Sequence, residues 1–198
     1  GQALASAGGT PGVNQSYIGA RDLGLNGLFS LTFDVSVSAV GTSPQVTLSG
    51  WYDANSNGMF NQTAETAVAG GILASGQFGI RANNFGTAYG SGVTPVMGDW
   101  YRLTLSYDFP NNTTMLDAFN LTTGLALDLN GAAAGNTFSA TAANLFGATP
   151  VNPLAYQGVV TRVSGSALID NIVVTVPEPS GFALLAGGFG LLLRRLRR

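Results

Sequence analysis

Hydrophobic and polar residues alternate one by one along two long segments of this chain, residues 28–38 and residues 99–109. The apolar positions are Phe29, Leu31, Phe33, Val35 and Val37 in the first segment and Tyr101, Leu103, Leu105, Tyr107 and Phe109 in the second. Successive side chains of a β-strand point to opposite faces, so this alternation predicts strands with one buried face and one polar face. Such strands must pack as sheets around a shared core.

Shorter alternating segments predict further strands at residues 45–53, 76–82, 113–121, 157–164 and 167–176, with a short strand near Tyr17 and Ile18. The Pro110-Asn111-Asn112 turn should fold residues 113–121 back as a hairpin. Residues 64–75 have no firm assignment, and residues 83–98 are predicted as a long loop. No helix of ordinary length stands out before residue 177, and 28 residues are glycine. The sequence therefore predicts an all-β, antiparallel β-sandwich for residues 1–176.

Several segments of this predicted sandwich resemble a known fold family. They are Phe-Gly-Ile-Arg at 78–81, Gly-Asp-Trp-Tyr-x-Leu at 98–103, the hairpin return after it, and Asp-Asn-Ile-Val-Val at 170–174. In this order they resemble concanavalin-A-like (laminin-G-like) jelly-roll domains, and the resemblance implies a jelly roll. In domains of this family, one or two further strands usually precede the segment that corresponds to the start of this chain. We therefore expect that the chain is truncated at its N-terminus; the alternative is that its Ala-rich start, residues 3–7, was left beside a cleavage site.

The tail, residues 177–198, combines three parts in a fixed order. Pro177-Glu178-Pro179 is stiff and cannot extend a sheet ladder. Residues 180–193 carry no charge, and the basic end follows with Arg194, Arg195, Arg197 and Arg198. As a helix the apolar run would span about 21 Å, short of a hydrocarbon core of about 30 Å. We predict a C-terminal transmembrane-type helix with its arginines on the cytoplasmic side; an amphipathic helix docked on the body is the alternative.

This three-part order closely resembles the PEP-CTERM sorting signal of Gram-negative bacteria. The resemblance implies that an exosortase, a membrane-embedded processing enzyme, recognises Pro177, Glu178 and Pro179 and cuts near them. It implies an exported protein that is held transiently in the inner membrane and then reaches the cell surface or the extracellular space. The family is associated with exopolysaccharide and biofilm production, so polysaccharide is an expected partner.

The charge of the chain is divided between body and tail. Residues 177–198 carry four arginines and Glu178, a net charge of +3, whereas residues 1–176 carry four arginines, eight aspartates and Glu65, a net charge of −5. Their sum is the −2 of the whole chain, and no lysine is present. Nucleic-acid binding requires clustered positive charge, so the acidic body argues against that class of partner.

The residue inventory disfavours an enzyme. The chain contains no His and no Cys, which removes the usual general base, the thiol nucleophile and the commonest metal ligand. Jelly-roll glycosidases use paired carboxylates, but the body has one glutamate, Glu65, and no Glu-x-Asp-x-Glu strand motif. We predict a non-enzymatic surface or matrix protein, with an acid pair built from aspartates left open.

One loop resembles a calcium-binding loop. Its oxygen-bearing residues alternate as hard cations require, and they are Asp53, Asn55, Asn57 and Asn61, with Gly58 at the turn. The closing acid does not fit, because position twelve is Ala64 and Glu65 comes one residue late. The alternative is a turn whose side chains cap their own backbone. A calcium site here would make the protein a calcium-dependent, lectin-like adhesin.

The polar faces of the predicted strands carry four side chains that could contact a sugar. They are Trp51, Trp100, Arg81 and Arg102. An exposed tryptophan stripe on one face of the jelly roll could stack on sugar rings, while arginine and asparagine side chains donate hydrogen bonds. The alternative is that these side chains cover a second layer of the protein or a loop that crosses the sheet. Asp170 and Asn171 are predicted to open the last strand, and we interpret them as a cap at its start rather than as a pair of ligand-binding residues.

Overall fold

A computed structural model describes residues 4–6, 14–19, 28–37, 45–52, 66–82, 87–108, 111, 113–131, 136–141, 156–164 and 167–175. The described strands are β1 (Leu4–Ser6), β2 (Asn14–Gly19), β3 (Leu28–Val37), β4 (Gln45–Tyr52), β5 (Thr66–Ile72), β6 (Phe78–Ala82), β7 (Thr87–Gly90), β8 (Trp100–Asp108), β9 (Thr113–Asn120), β10 (Leu125–Ala126), β11 (Phe138–Thr141), β12 (Tyr156–Ser164) and β13 (Ala167–Thr175). The described part of the chain is all-β, as predicted.

The strands form two antiparallel sheets. Sheet A has seven strands in the order β1-β13-β3-β8-β9-β10, with β11 also paired to β9. Sheet B has six strands in the order β2-β12-β4-β5-β6-β7. Strands β12 and β13 follow each other in sequence but lie in different sheets. The chain therefore passes from one sheet to the other immediately before its last described strand.

The core lies between the two sheets and is built from the predicted apolar faces. Sheet A contributes Leu31, Phe33, Val35 and Val37 from β3 and Tyr101, Leu103, Leu105 and Tyr107 from β8, and sheet B contributes Val46 and Leu48 from β4 and Phe78 and Ile80 from β6. Each of these side chains is at most 1% exposed. Burying one such side chain contributes about 1.5–3 kcal/mol. The alternation therefore identified the inward faces correctly.

Tyr107 connects the two sheets through its hydroxyl group. The hydroxyl donates a hydrogen bond to the carbonyl oxygen of Val68 in β5 and accepts one from the Gly50 N–H in β4 at 3.3 Å. Burial raises the pKa of Tyr107 well above its ordinary value, and the hydrogen bond from Gly50 lowers it by less. The hydroxyl thus stays neutral and satisfies two buried backbone groups of the opposite sheet.

Strand β5 approaches β4 so closely that Gly71 has no room for a side chain. Its φ is +149°, and a Cβ at this position would overlap the carbonyl oxygen of Val46. Only glycine adopts such a backbone conformation readily. A Cβ at the neighbouring Gly70 would instead overlap the Leu105 side chain. The two glycines inside Thr66–Ile72 weaken the alternation that identifies a strand, so the sequence gives no assignment for residues 64–75.

The other predicted strands correspond to described strands, and the hairpin between β8 and β9 is confirmed by their antiparallel register from Asp108↔Thr113 to Tyr101↔Asn120. The predicted loop over residues 83–98 is wrong in part, because it contains β7. The tail and its predicted helix lie outside the described residues. Within the described ranges, no helix is long and apolar enough to cross a membrane.

Candidate functional site

A row of charged side chains crosses the outer face of sheet A. The pairing register sets Asp170 of β13 opposite Asp34 of β3, and Asp34 opposite Arg102 of β8. Residues directly opposite each other on neighbouring strands lie on the same face. Arg102 alternates with the buried Tyr101 and Leu103, so this row lies on the face turned away from the core.

Asp34 and Arg102 form a bidentate ion pair. The Nε of Arg102 donates to Oδ1 of Asp34 at 2.8 Å, and its Nη2 donates to Oδ2 at 2.9 Å. The Asp34 side chain is only 4% exposed, whereas that of Arg102 is 48% exposed. A buried carboxylate requires such partners. Arg102 therefore neutralises Asp34 while its own outer edge still faces solvent.

Asn171 supplies the third hydrogen bond to Asp34 and occupies an irregular point of β13. Its Nδ2 donates to Oδ2 of Asp34 at 2.7 Å, and its backbone N–H donates to Oδ1 of Asp170 at 2.8 Å. The register with β3 shifts between Asp170 and Val173, and Asn171 has a φ of +51°. Asparagine tolerates this left-handed conformation better than most residues, and here the β-bulge redirects its side chain.

Asp170 and Asn171 were predicted to cap the start of the last strand, and that prediction is wrong. Strand β13 begins at Ala167, and the two residues lie in its interior at the bulge. A local sequence pattern cannot show this, because the partner that Asn171 contacts is Asp34, 137 residues earlier.

The surroundings of Asp34 lower its pKa below the ordinary value of 3.8. Burial alone would raise the pKa, but the hydrogen bonds from Arg102 and Asn171 and the positive charge of Arg102 together outweigh it. The same pairing raises the pKa of Arg102. Both groups are therefore charged at neutral pH, and Asp34 is a poor proton donor.

An open pocket of about 370 Å³ lies over this row. Its lining residues are Asp34, Trp100, Leu121, Thr122, Asp170 and Asn171. The pocket thus combines one large aromatic side chain with carboxylate, amide and hydroxyl groups. Such a combination fits a small polar ligand that also presents an apolar face.

The wall of the pocket at Leu121 and Thr122 is held by a hydrogen-bonded turn. The backbone N–H of Trp100 donates to Oγ1 of Thr122 at 2.9 Å, and the backbone N–H of Leu121 donates to the Trp100 carbonyl oxygen at 2.7 Å. Asn120 also stabilises the turn, because its Oδ1 accepts hydrogen bonds from the backbone N–H groups of Thr122 and Thr123. The backbone of Trp100 and the side chain of Thr122 are therefore linked through this turn.

The four residues predicted to contact sugar do not share one face. Trp100 and Arg102 belong to β8 of sheet A, whereas Trp51 and Arg81 belong to β4 and β6 of sheet B. The predicted single stripe is therefore wrong as an arrangement, and any sugar-binding role of the individual residues stays a prediction. The polar side of each strand was identifiable from the sequence, but the sheet to which each strand belongs was not.

The outer face of sheet B is closed to solvent near the middle of β4. Val46 and Leu48 fill the core, so the alternating Thr47 and Ser49 face outward. Thr47, Ser49 and the neighbouring Ala69 of β5 are nevertheless at most 1% exposed. Polar residues on an outward face are normally exposed, so the protein covers this region. The open pocket on sheet A offers better access to a ligand.

The predicted calcium ligands Asp53, Asn55, Asn57 and Asn61 lie outside the described residues, as do Pro177, Glu178, Pro179 and the four arginines of the tail. Calcium binding and tail recognition therefore stay predictions. Within the described ranges, no group of three or more aspartate, glutamate, histidine or cysteine side chains is arranged to hold a metal ion.

The sequence did not single out Asp34 as a site residue. It stands among serines and threonines on the polar face of β3, where an exposed carboxylate would be ordinary. The available signal was the Asp-Asn pair inside an otherwise apolar strand, because both residues are disfavoured in strand interiors.

No known protein-family model matches the chain, and no curated protein matches it by sequence. Among solved structures, the metal-free exoplasmic/lumenal domain of VIP36 is similar to it with a TM-score of 0.54 and 10% sequence identity, over 88% of this chain and 79% of that one. Lectin II from Ulex europaeus is similar with a TM-score of 0.50 and 11% identity, over 87% of this chain and 86% of that one. The described body therefore has a lectin-like jelly-roll β-sandwich fold.

Proposed function

We propose that this protein is a non-enzymatic, lectin-like carbohydrate-binding protein and that the pocket on the outer face of sheet A is its binding site. The observation that carries the proposal is the position of Trp100 beside Asp34, Asp170, Asn171 and Thr122 in one open pocket. The fold, which resembles that of a lectin and of the VIP36 domain, supports a lectin-like role.

The chemistry of the pocket suits a sugar. A sugar ring has an apolar face of C–H groups that packs on an aromatic ring, and hydroxyl groups around its edge that need hydrogen bonds. Thr122 uses its oxygen to accept the Trp100 N–H and keeps its hydroxyl proton for a ligand. Asn171 uses its amide nitrogen on Asp34 and keeps its amide oxygen as an acceptor.

The state of Asp34 favours binding over hydrolysis. Asp34 and Asp170 face each other on neighbouring strands, the arrangement in which a glycosidase would use one carboxyl group as general acid. A general acid needs a raised pKa, whereas that of Asp34 is lowered and its oxygens accept three hydrogen bonds. Asp34 is therefore unsuited to be the proton donor that glycoside cleavage requires.

Replacing Trp100 with alanine should weaken polysaccharide binding about two- to tenfold, because aromatic contacts of this kind contribute about 0.5–1.5 kcal/mol. Binding is measured by calorimetry with soluble polysaccharides and oligosaccharides, with calcium and with a chelator. Trp100→Phe should retain part of the affinity. Reducing-end assays on the same sugars should show no cleavage.

Trp51→Ala is the matched control, because it makes the same change in a strand of the other sheet. Each variant is first compared with the parent by thermal unfolding, so that a folding defect is not counted as lost binding. Unchanged binding by Trp100→Ala together with lost binding by Trp51→Ala would contradict the assignment to sheet A. Binding that disappears with the chelator would favour the calcium-dependent form of the lectin hypothesis.

We further propose that the tail delivers this domain to the cell surface or the extracellular space through exosortase processing. The support is the resemblance of residues 177–198 to the PEP-CTERM signal: the proline-flanked Glu178, the uncharged run and the arginine-rich end. Surface delivery would bring the pocket to extracellular polysaccharide.

Mass spectrometry of the mature protein from a native host tests the sorting proposal. The expected C-terminus lies near Pro179, because the resemblance places the cut beside the Pro-Glu-Pro motif. A soluble form that still ends at Arg198 would contradict processing. Alanine substitutions at Pro177 and Pro179 should leave the tail uncut and the protein retained in the membrane fraction.

A further inference from the structure

Among the described residues, negative charge is concentrated on sheet A. Within the described ranges, all aspartates belong to strands of sheet A or to turns adjoining them: Asp34, Asp99, Asp108, Asp117, Asp128 and Asp170. Arg102 is the one arginine of sheet A in these ranges, whereas Arg81 and Arg162 lie in sheet B. A ligand that approaches the pocket therefore meets a negative face, and the field of this face favours positively charged groups.

Within the pocket, this negative charge is concentrated on Asp170. Asp34 is neutralised by its bidentate pair with Arg102. Among the described residues, the hydrogen bond shown for Asp170 is the one its Oδ1 accepts from the Asn171 N–H, and no arginine of the described residues forms an ion pair with it. Asp170 therefore lines the pocket as an acidic side chain that no described arginine pairs with.

We propose that the pocket binds an amino sugar, with the ammonium group of the glycan against Asp170 and the sugar ring on Trp100. This inference rests on the proposed carbohydrate-binding function and adds the class of ligand. Thr122 and Asn171 lie in the same pocket and bind the ring hydroxyl groups. A glycan rich in free amino groups would gain from the whole negative face of sheet A, because successive ammonium groups would be attracted to it.

The same charges exclude acidic polysaccharides. A uronate or sulfate group in the pocket would lie beside Asp170, and the positive charge of Arg102 is already compensated by Asp34. Like charges at close range disfavour binding. Neutral sugars experience neither electrostatic attraction to Asp170 nor repulsion from it, so their affinity is the reference for charged sugars.

Calorimetry with glucosamine oligomers and with N-acetylglucosamine oligomers of the same length tests the inference, using the full chain in a mildly acidic, low-salt buffer that keeps the amines protonated. The glucosamine oligomer should bind about two- to fivefold more tightly, the size expected for one partly exposed ion pair. Asp170→Asn should remove this preference, because asparagine keeps the acceptor for the Asn171 N–H but carries no charge. Added salt should also reduce the preference.

Asp128→Asn is the matched control, because it removes the same charge from sheet A at a residue that does not line the pocket. It should keep the preference for glucosamine. Equal binding of both oligomers by the parent protein would overturn the amino-sugar inference and leave the proposed function standing. Absence of binding to any sugar would overturn the proposed function itself. An equal loss of preference in both variants would contradict the role of Asp170.

Discussion

Replacing Gly71 with alanine is expected to lower the free energy of unfolding by about 3 kcal/mol or more, because steric overlap and backbone strain add. The new Cβ would overlap the Val46 carbonyl oxygen of β4 and lie 3.0 Å from the Thr47 Cα. Both obstacles are backbone atoms in the middle of sheet B, and they cannot rotate away as a side chain would. The φ of +149° is also one that alanine adopts only with strain.

Gly76→Ala separates these two causes. Gly76 also has a positive φ, +79°, but a Cβ there meets no atom within 4 Å. Its substitution should therefore cost only the backbone strain, about 1 kcal/mol. Urea denaturation of both variants measures the difference. A loss in Gly71→Ala no larger than that in Gly76→Ala would show that β4 and β5 are farther apart than described.

Replacing Asp34 with asparagine is expected to lower the free energy of unfolding at neutral pH by about 2 kcal/mol, the typical contribution of hydrogen bonds to a charged group. Asparagine has the shape of aspartate but carries an NH₂ group in place of one oxygen. Both oxygens of Asp34 accept hydrogen bonds from Arg102, and Oδ2 also accepts one from Asn171. In either orientation, the new NH₂ group would face a donor.

The pH dependence follows from the lowered pKa of Asp34. A carboxyl group whose pKa is lower in the folded than in the unfolded protein stabilises the fold above its unfolded pKa, and this contribution is lost as the pH falls through the folded value. The difference between the parent and Asp34→Asn should therefore be full at neutral pH and shrink below about pH 4.

Urea denaturation of both proteins across this pH range measures the effect. Asp128→Asn is the control, because its side-chain oxygen can still accept the Asn130 and Gly131 N–H groups; it should change the stability by less than about 0.5 kcal/mol. A difference between parent and Asp34→Asn that stays constant down to the acid limit would contradict a charge-based contribution of Asp34.

The strands could be predicted from the sequence wherever the alternation of apolar and polar residues is sufficient to identify them. In β3 and β8 the alternation of apolar and polar residues is uninterrupted, and their inward faces are those the sequence predicted. In β5 the alternation is interrupted by Gly70 and Gly71, because the neighbouring strand and the Leu105 side chain leave no space there. The physical cause lies in another strand, so the sequence of β5 alone cannot reveal it.

The candidate site was predictable only in fragments. Trp100 and Arg102 were recognised as outward residues of one strand, and their strand and its polar face are as expected. Their grouping with Trp51 and Arg81 failed, since alternation shows which side of a strand faces outward but not which sheet contains it. The role of Asp34 depends on Arg102, 68 residues later, and on Asn171, 137 residues later.

The position of β13 has a consequence for the order in which the molecule forms. This strand lies between β1 and β3 in sheet A, and it brings Asp170 and Asn171 to the pocket. During synthesis, β1 (residues 4–6) and β3 (residues 28–37) cannot both pair with β13 until residues 167–175 have left the ribosome. Contacts across such long sequence separations form slowly. The pocket is thus among the last parts of the described body to be completed during synthesis.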